Sequence, residues 1–549
     1  MDNGIARLAD TIIALMTSFF DRLDSFAGIE NDSALARLFD RLSFVFLILT
    51  ALSAPHSIAA TQISWGVGIL FVFLSWLVRP RPLVRFRPLE IALWVFFGWS
   101  VISAVFSYEP AISLDRLRGV STFLLFVFVI SCLKNRRTTY LAAFCLIVSC
   151  MVNVLMVPIQ RIVGRGVEIH GVSPNGPLGK TGLADGDALL LVNGTKINDP
   201  AELVRALELQ ETVKVTYQRA DWYSPVDIRR ADLLNGTTAA EMLGISDWKR
   251  SHFWRVAGFY SHYTTYAEVL QLLASLAFGL LLAAFRKKRP DASRSREGIA
   301  GTAERIFTSR YFLLFAFAAM CIALVLTVTR ASQLSLLISI FVIVAVTASR
   351  KFLLMAAVAA VPVVLIGLFL LQQSRQVGFF DSKDASTQYR LTMWRDGVRL
   401  TFGSPRNAVV GIGMDSIKKR WSEWGLYDNG WLPMGHFHSA PIQIMVERGI
   451  PALLIWLIVL GIYARTLWRG IKNNQSGDWR TLGIITGSLG GMVGFVTSGF
   501  VHWNLGDGEV AMVFYLLMGL SVKLTDLSVL DNGQTFDEAA VSPEYRAAS

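Results

Sequence analysis

The sequence predicts an all-α polytopic membrane protein with a small α+β domain inserted into one of its outer loops. Three observations carry this reading. Of 549 residues, 53% are hydrophobic and 17% charged, against roughly 25% charged in soluble domains, and mean hydropathy is +0.47. The apolar residues gather into blocks of about 18–22, the length that crosses a hydrocarbon core of about 30 Å at about 1.5 Å per helical residue. The loops between blocks alternate between basic and nearly lysine-free.

Taken in order, residues 1–41 form an N-terminal segment in which 5–20 (IARLADTIIALMTSFF) reads as an amphipathic helix on a membrane surface or as an ordinary solvated helix. Apolar blocks follow at 42–60, 63–78, 89–106, 118–133 and 139–159, then at 263–285, 311–329, 331–349 and 352–371, and finally at 440–464, 481–499 and 509–523. They predict about twelve transmembrane (TM) helices: TM1–TM5 in 42–159, TM6–TM9 in 259–371 and TM10–TM12 in 440–523. The loops 79–88, 134–137, 286–296, 349–351 and 465–474 are all basic. By the positive-inside rule they are cytoplasmic, with the N-terminus and the 524–549 tail. The long segments 160–258 and 372–439 then lie outside, which in a bacterial inner membrane is the periplasm.

The net charge of +11 is therefore mostly orientation signal, and no nucleic-acid partner is expected. Cys132, Cys145, Cys150 and Cys321 lie in or beside apolar blocks without metal or disulfide spacing.

Within 160–258, residues 164–219 have soluble composition. GVEIHGV reads as a strand, and ALLLVNGTKI as a strand and hairpin through Asn193-Gly194. DPAELVRAL reads as a short helix with Asp199 at the N-cap and Pro200 at N1, and ETVKVTYQR as a closing strand. The run Pro174, Gly176, Pro177, Gly182, Leu183, Gly186, Asp187, Asn193, Gly194 resembles a PDZ domain of the bacterial periplasmic type. The resemblance implies a groove that adds a peptide as an extra strand, with a loop at Gly164, Arg165, Gly166 and Val167 taking its carboxylate. An envelope protein is then a possible partner. The alternative is a PDZ-shaped spacer, or one whose groove is filled by its own chain.

The second outer segment and its flanking helices carry the chemistry. Arg330 sits where one apolar block passes into the next, a placement that costs several kcal/mol unless it is used. In YRLTMWRDGVRL, roughly i, i+4 spacing would put Arg390, Arg395 and Arg399 on one helical face beside Trp394. His436 and His438 precede the block at 440–464. Guanidinium forks suit phosphate oxygens, and an imidazole can take a proton from a hydroxyl. Together they suit a diphosphate leaving group and an acceptor alcohol. No divalent-metal spacing is evident, and neither metal nor other cofactor is expected.

These segments are similar to the O-antigen ligase/polymerase superfamily (Wzy_C type). The resemblance rests on TRASQLSLL (329–337), on Arg390, Trp394, Pro405 and Gly411-Ile412-Gly413, and on His438-Ser439, Gln443, Glu447, Gly449-Ile450-Pro451 and Leu453-Leu454. It runs over about 310–520 and implies a GT-C-like glycosyltransferase acting on an undecaprenyl-diphosphate-linked glycan at the periplasmic face. By the resemblance Arg330 and Arg390 bind the diphosphate and His438 acts as, or positions, the base. Arg395, His436, Arg399 and Trp394 are the further substrate-binding candidates. Ser439 stands where Asn is commoner, and the PDZ-like insert is not a usual part of the family.

Three acceptors fit: the lipid A core (ligase, favoured), another lipid-linked repeat (polymerase), or a protein side chain (O-oligosaccharyltransferase). A transporter would carry mid-membrane charges and broken helices in repeated halves, and a PDZ scaffold would need no Arg/His constellation.

Overall fold

The computed structural model describes residues 17–31, 33–79, 87–219, 222–252, 255–286, 306, 308–347, 385–430, 435–474 and 477–531. The apolar block at 352–371, the stretch 372–384 and most of the 5–20 segment lie outside them. The chain divides into two units, one drawn from Met1–Met151, Phe259–Val325 and Thr329–Ser549, the other from Val152–Gly258 with Leu326–Val328.

The larger unit is helical. Its first elements are α1 (Ala34–Ser53), α2 (Ile58–Val78), α3 (Pro88–Val105), α4 (Pro110–Val120), α5 (Leu124–Cys132) and the start of α6 (Arg136–Val163). Ser33 and Ser57 cap α1 and α2, each accepting from the backbone N–H three residues on. The 118–133 block is not one helix. A 3-10 turn at Ser121–Phe123 separates α4 from the nine-residue α5, too short to span a bilayer by itself.

The insert carries β1 (Arg165–His170), β2 (Ala188–Val192), β3 (Thr195–Lys196), α7 (Pro200–Leu209), β4 (Thr212–Arg219), β5 (Trp222–Arg229), α8 (Ala239–Leu243) and β6 (Asp247–Ser251). All pairings are antiparallel, in the order β5-β4-β2-β1-β6 with β3 on β2. Alternation places Val167, Ile169, Val213 and Val215 in one core with Leu203 and Leu207 of α7. Asn193 and Gly194, at φ 50° and 83°, form the β2–β3 turn, and Asp199 caps α7 through the Ala201 N–H.

The sheet continues past residue 219. Ile228, Leu243 and Ile245 complete its core, and β6 pairs with the edge of β1 opposite β2, Arg165 against Ser251 and Ile169 against Trp248. The Gly164–Val167 stretch therefore faces the chain's own strand.

Beyond the insert the helical unit resumes with α9 (Tyr263–Arg286), α10 (Arg310–Leu326), α11 (Arg330–Thr347), α12 (Ala385–Phe402), α13 (Pro405–Val410), α14 (Ala440–Asn473), α15 (Trp479–Gly499) and α16 (Gly508–Asp531). Among the described residues, eight helices are long and apolar enough to cross a membrane: α2, α3, α6, α9, α11, α14, α15 and α16. Eight of the twelve expected blocks coincide with such helices. α1 carries Arg37, Asp40 and Arg41, α5 and α10 are short, and one block lies outside the described residues.

α9, α15 and α16 are mostly buried, whereas α2 and α11 expose much of their apolar surface. Close approach of α9 to α15 depends on glycine: a Cβ at Gly279 would stand 2.5 Å from both Gly483 O and Gly487 N.

Candidate active site

The site grows from a break in α14. Pro451 has no N–H, so the Glu447 carbonyl loses its helical partner. Gly449 takes φ 80°, ψ 170°, outside helical geometry. A neighbouring loop repairs the break: Ile412 N–H donates to Val446 O and Gly413 N–H to Glu447 O, both at 2.9 Å. Ser103 Oγ also donates to Glu447 O, and Trp99 Nε1 donates to Arg448 O. The approach is so close that a Cβ at Gly449 would lie 2.0 Å from Val409 O. The Gly411-Ile412-Gly413 and Gly449-Ile450-Pro451 motifs are thus two halves of one junction.

That junction fixes the acidic and basic groups around it. Glu447 Oε1 accepts from Asp415 N–H and from Gln443 Nε2, and Oε2 stands 3.7 Å from Arg448 Nη2. Arg116 pairs with Asp415 at 2.6 Å. Phe437 N–H donates to Gln443 Oε1, which anchors the turn before α14. There His438 takes φ 48°, a left-handed conformation uncommon for a residue with a side chain.

A cavity of about 1270 Å³ opens among these elements. Arg390, His436 and His438 line it together, with Arg116, Arg118, Lys418 and Arg448 as further cations and Glu268, Asp415, Glu447 and Asp507 as acids. The His436 and His438 rings meet edge to face at 4.1 Å. Burial, then the charges of His436 and Arg390, pushes the His438 imidazole down to about 3. Burial, then Lys418, lowers His436 to about 4. Both rings are neutral at pH 7 and present one donor and one acceptor each.

The remaining candidates are placed apart. Arg330 opens α11, half-buried, and is not among the residues lining the cavity. Nor are Trp394, Arg395 and Arg399. On a helix of 3.6 residues per turn, Arg395 lies about 140° and Arg399 about 180° around from Arg390, so the three do not share a face. Arg395 is exposed, and Arg399 pairs at its surface with Asp396. Trp394 packs against the cluster of Met393, Ile412, Tyr427, Phe437 and Val446. Lys419 and Arg420 are engaged by Glu109.

Glu268, Arg448 and His502, all lining the cavity, were missed by sequence reasoning. An acidic residue one turn into an apolar block was the only signal available. Among the described residues, no three His, Cys, Asp or Glu side chains are placed to hold a metal ion.

A bundle of apolar helices around an arginine- and histidine-lined cavity defines a multi-pass membrane protein. Residues 315–457 match the family model described as O-antigen ligase (Wzy_C). That segment contains Arg330, Arg390, His436, His438 and the Gly449 break. No curated protein matches the chain.

The histidines make a testable pH dependence. Their folded values lie below the ordinary 6.5, so between about pH 4 and 6.5 the unfolded chain binds more protons than the folded one. Stability from keeping them neutral is complete above pH 6.5 and is lost as pH falls through the folded values. The Tm of the detergent-purified protein is expected to drop between pH 7 and 4.5, and to drop less in a His436→Gln/His438→Gln double variant. An identical drop in both proteins would rule this origin out.

Proposed function

We propose that the protein is a glycosyltransferase of O-antigen ligase type. It transfers a glycan from an undecaprenyl-diphosphate carrier to an acceptor hydroxyl, the lipid A core being favoured, at the periplasmic face of the inner membrane and without a metal. The observation that carries the reading is the single cavity in which Arg390 meets His436 and His438, inside the segment that matches the family. Arg390, the sequence-predicted arginine that lines the cavity, holds the diphosphate; Arg330, outside that lining, is left without a part in it. His438 acts at the acceptor, as the base or as the group that positions it. Arg390 attracts an anionic lipid headgroup and stabilises the charge that develops as the diphosphate departs.

The insert is read as a PDZ-shaped module that would recruit an envelope protein. With β6 on the edge of β1, an incoming peptide would first have to displace residues 247–251.

A reconstituted assay with purified lipid-linked donor and each acceptor in turn tests the reading. Transfer to lipid A core supports ligase, elongation of a lipid-linked repeat makes it a polymerase, and glycosylated protein makes it an O-oligosaccharyltransferase. No transfer to any of them overturns the proposal. Activity is expected to be undiminished in EDTA, and strict metal dependence would overturn the arginine-clamp chemistry.

A further inference from the structure

A second ionisable centre lies in the same cavity, contributed by elements distant in sequence. Glu268, in the second turn of α9, is 1% exposed, and His502, in the turn between α15 and α16, is 8% exposed. His502 Nδ1 is 2.7 Å from Glu268 Oε1. The carboxylate is further held by Ser332 Oγ of α11 at 3.0 Å and Ser498 Oγ of α15 at 2.6 Å. Asn504 Nδ2 donates to Phe495 O and Ser498 Oγ, bracing the turn that carries His502.

An ionised carboxylate can only accept, so the imidazole proton sits on Nδ1. Nε2 then carries the lone pair. Both residues line the cavity, and Nε2 has no partner among the described residues. A buried carboxylate on apolar helices is costly and is retained where it is used. Four donors, Ser332, Ser498, His502 and at 3.5 Å Asn504, converge on this one carboxylate.

We propose that His502, held in this tautomer by Glu268, takes the proton of the acceptor hydroxyl. The inference rests on the glycosyl-transfer reading above and assigns its base. The acceptor O–H bond breaks and its proton passes to Nε2. The oxygen forms a bond to the anomeric carbon of the donor glycan. The bond from that carbon to the diphosphate oxygen breaks, and its electron pair leaves with the lipid diphosphate. The imidazolium, stabilised by Glu268, later returns the proton to the departing phosphate or to solvent. His438, whose basicity burial depresses, fits a hydrogen-bonding role toward the substrate.

The full-length protein, reconstituted with lipid-linked donor and acceptor, provides the test. His502→Ala is expected to lower kcat by about 10²–10⁴-fold, the usual contribution of a general base, with the donor KM changed by less than about 3-fold because the diphosphate contacts are intact. Added imidazole is expected to restore turnover in His502→Ala and to leave Arg390→Ala inactive. Glu268→Gln, which keeps shape and loses charge, is expected to lower kcat without rescue, as for a positioning residue. His502→Gln provides a polar variant should the alanine protein fail to fold. Near-wild-type turnover in folded His502→Ala or His502→Gln overturns the proposal. So does a loss that imidazole leaves unchanged, or rescue confined to His438→Ala. In each of these outcomes an inactive Arg390→Ala leaves the glycosyl-transfer reading standing, whereas an active Arg390→Ala counts against that reading itself.

Discussion

Arg390→Ala is expected to lower transfer by at least about 10²-fold while the protein still inserts and stays folded. Of the sequence-predicted arginines, it is the one that lines the cavity beside His438. Charge-assisted hydrogen bonds contribute about 1.5–3 kcal/mol each. Loss of a two-pronged grip on a diphosphate therefore costs about 3–6 kcal/mol, or about 10²–10⁴ in rate if the grip tightens in the transition state. Arg390→Lys keeps the charge and loses the fork, so it should fall between wild type and alanine. Arg395→Ala and Arg399→Ala, on other faces of α12, should retain most activity. Steady-state turnover with purified donor measures all four. Wild-type turnover in Arg390→Ala would remove Arg390 from the site.

Gly449→Val is expected to damage the protein more broadly, lowering both stability and activity. A residue with a side chain at φ 80° is strained by about 1–3 kcal/mol. Its Cβ would also meet the Val409 carbonyl at 2.0 Å, so α13 and the 411–413 loop would have to withdraw. Withdrawal strands the Val446 and Glu447 carbonyls and releases Glu447, Asp415 and Arg116 from their mutual arrangement. Gly461→Ala is the internal control. It lies in the same helix, and a methyl group there would have no atom within 4 Å, so alanine should be neutral or stabilising by up to about 1 kcal/mol. Thermal unfolding in detergent and turnover distinguish the two. Equal behaviour would mean that the break in α14 does not organise the site.

The glycines of this junction stand in the sequence as motif letters, and their necessity is visible only where two chain segments meet. The same holds for His438. Its place before an apolar block was legible, but its positive φ, its edge-to-face partner His436 and its depressed basicity come from packing. The arginine pattern on α12 misled in an instructive way. Spacings of five and four residues resemble a stripe in one dimension, yet on a helix they place Arg390 and Arg399 on opposite sides. The insert behaved similarly. Its strands through Arg219 follow from alternation and turn residues, whereas β5 is interrupted by Pro225 and β6 is short and polar, and their membership of the sheet depends on a core already built by others.

By itself, the sequence determined the membrane class, the placement of most helices, the existence of a soluble insert and the family to which 315–457 compares. These depend on apolar run length, alternation and capping, all set by residues adjacent in the chain. Tertiary structure alone decided which charges share a cavity, where α14 breaks, that the edge of β1 is already covered, and that Glu268 and His502 meet across 234 residues. The physical reason is that hydrogen bonds and buried charges are satisfied by neighbours in space. In a bundle of helices, those neighbours are set by helix crossings rather than by position along the chain.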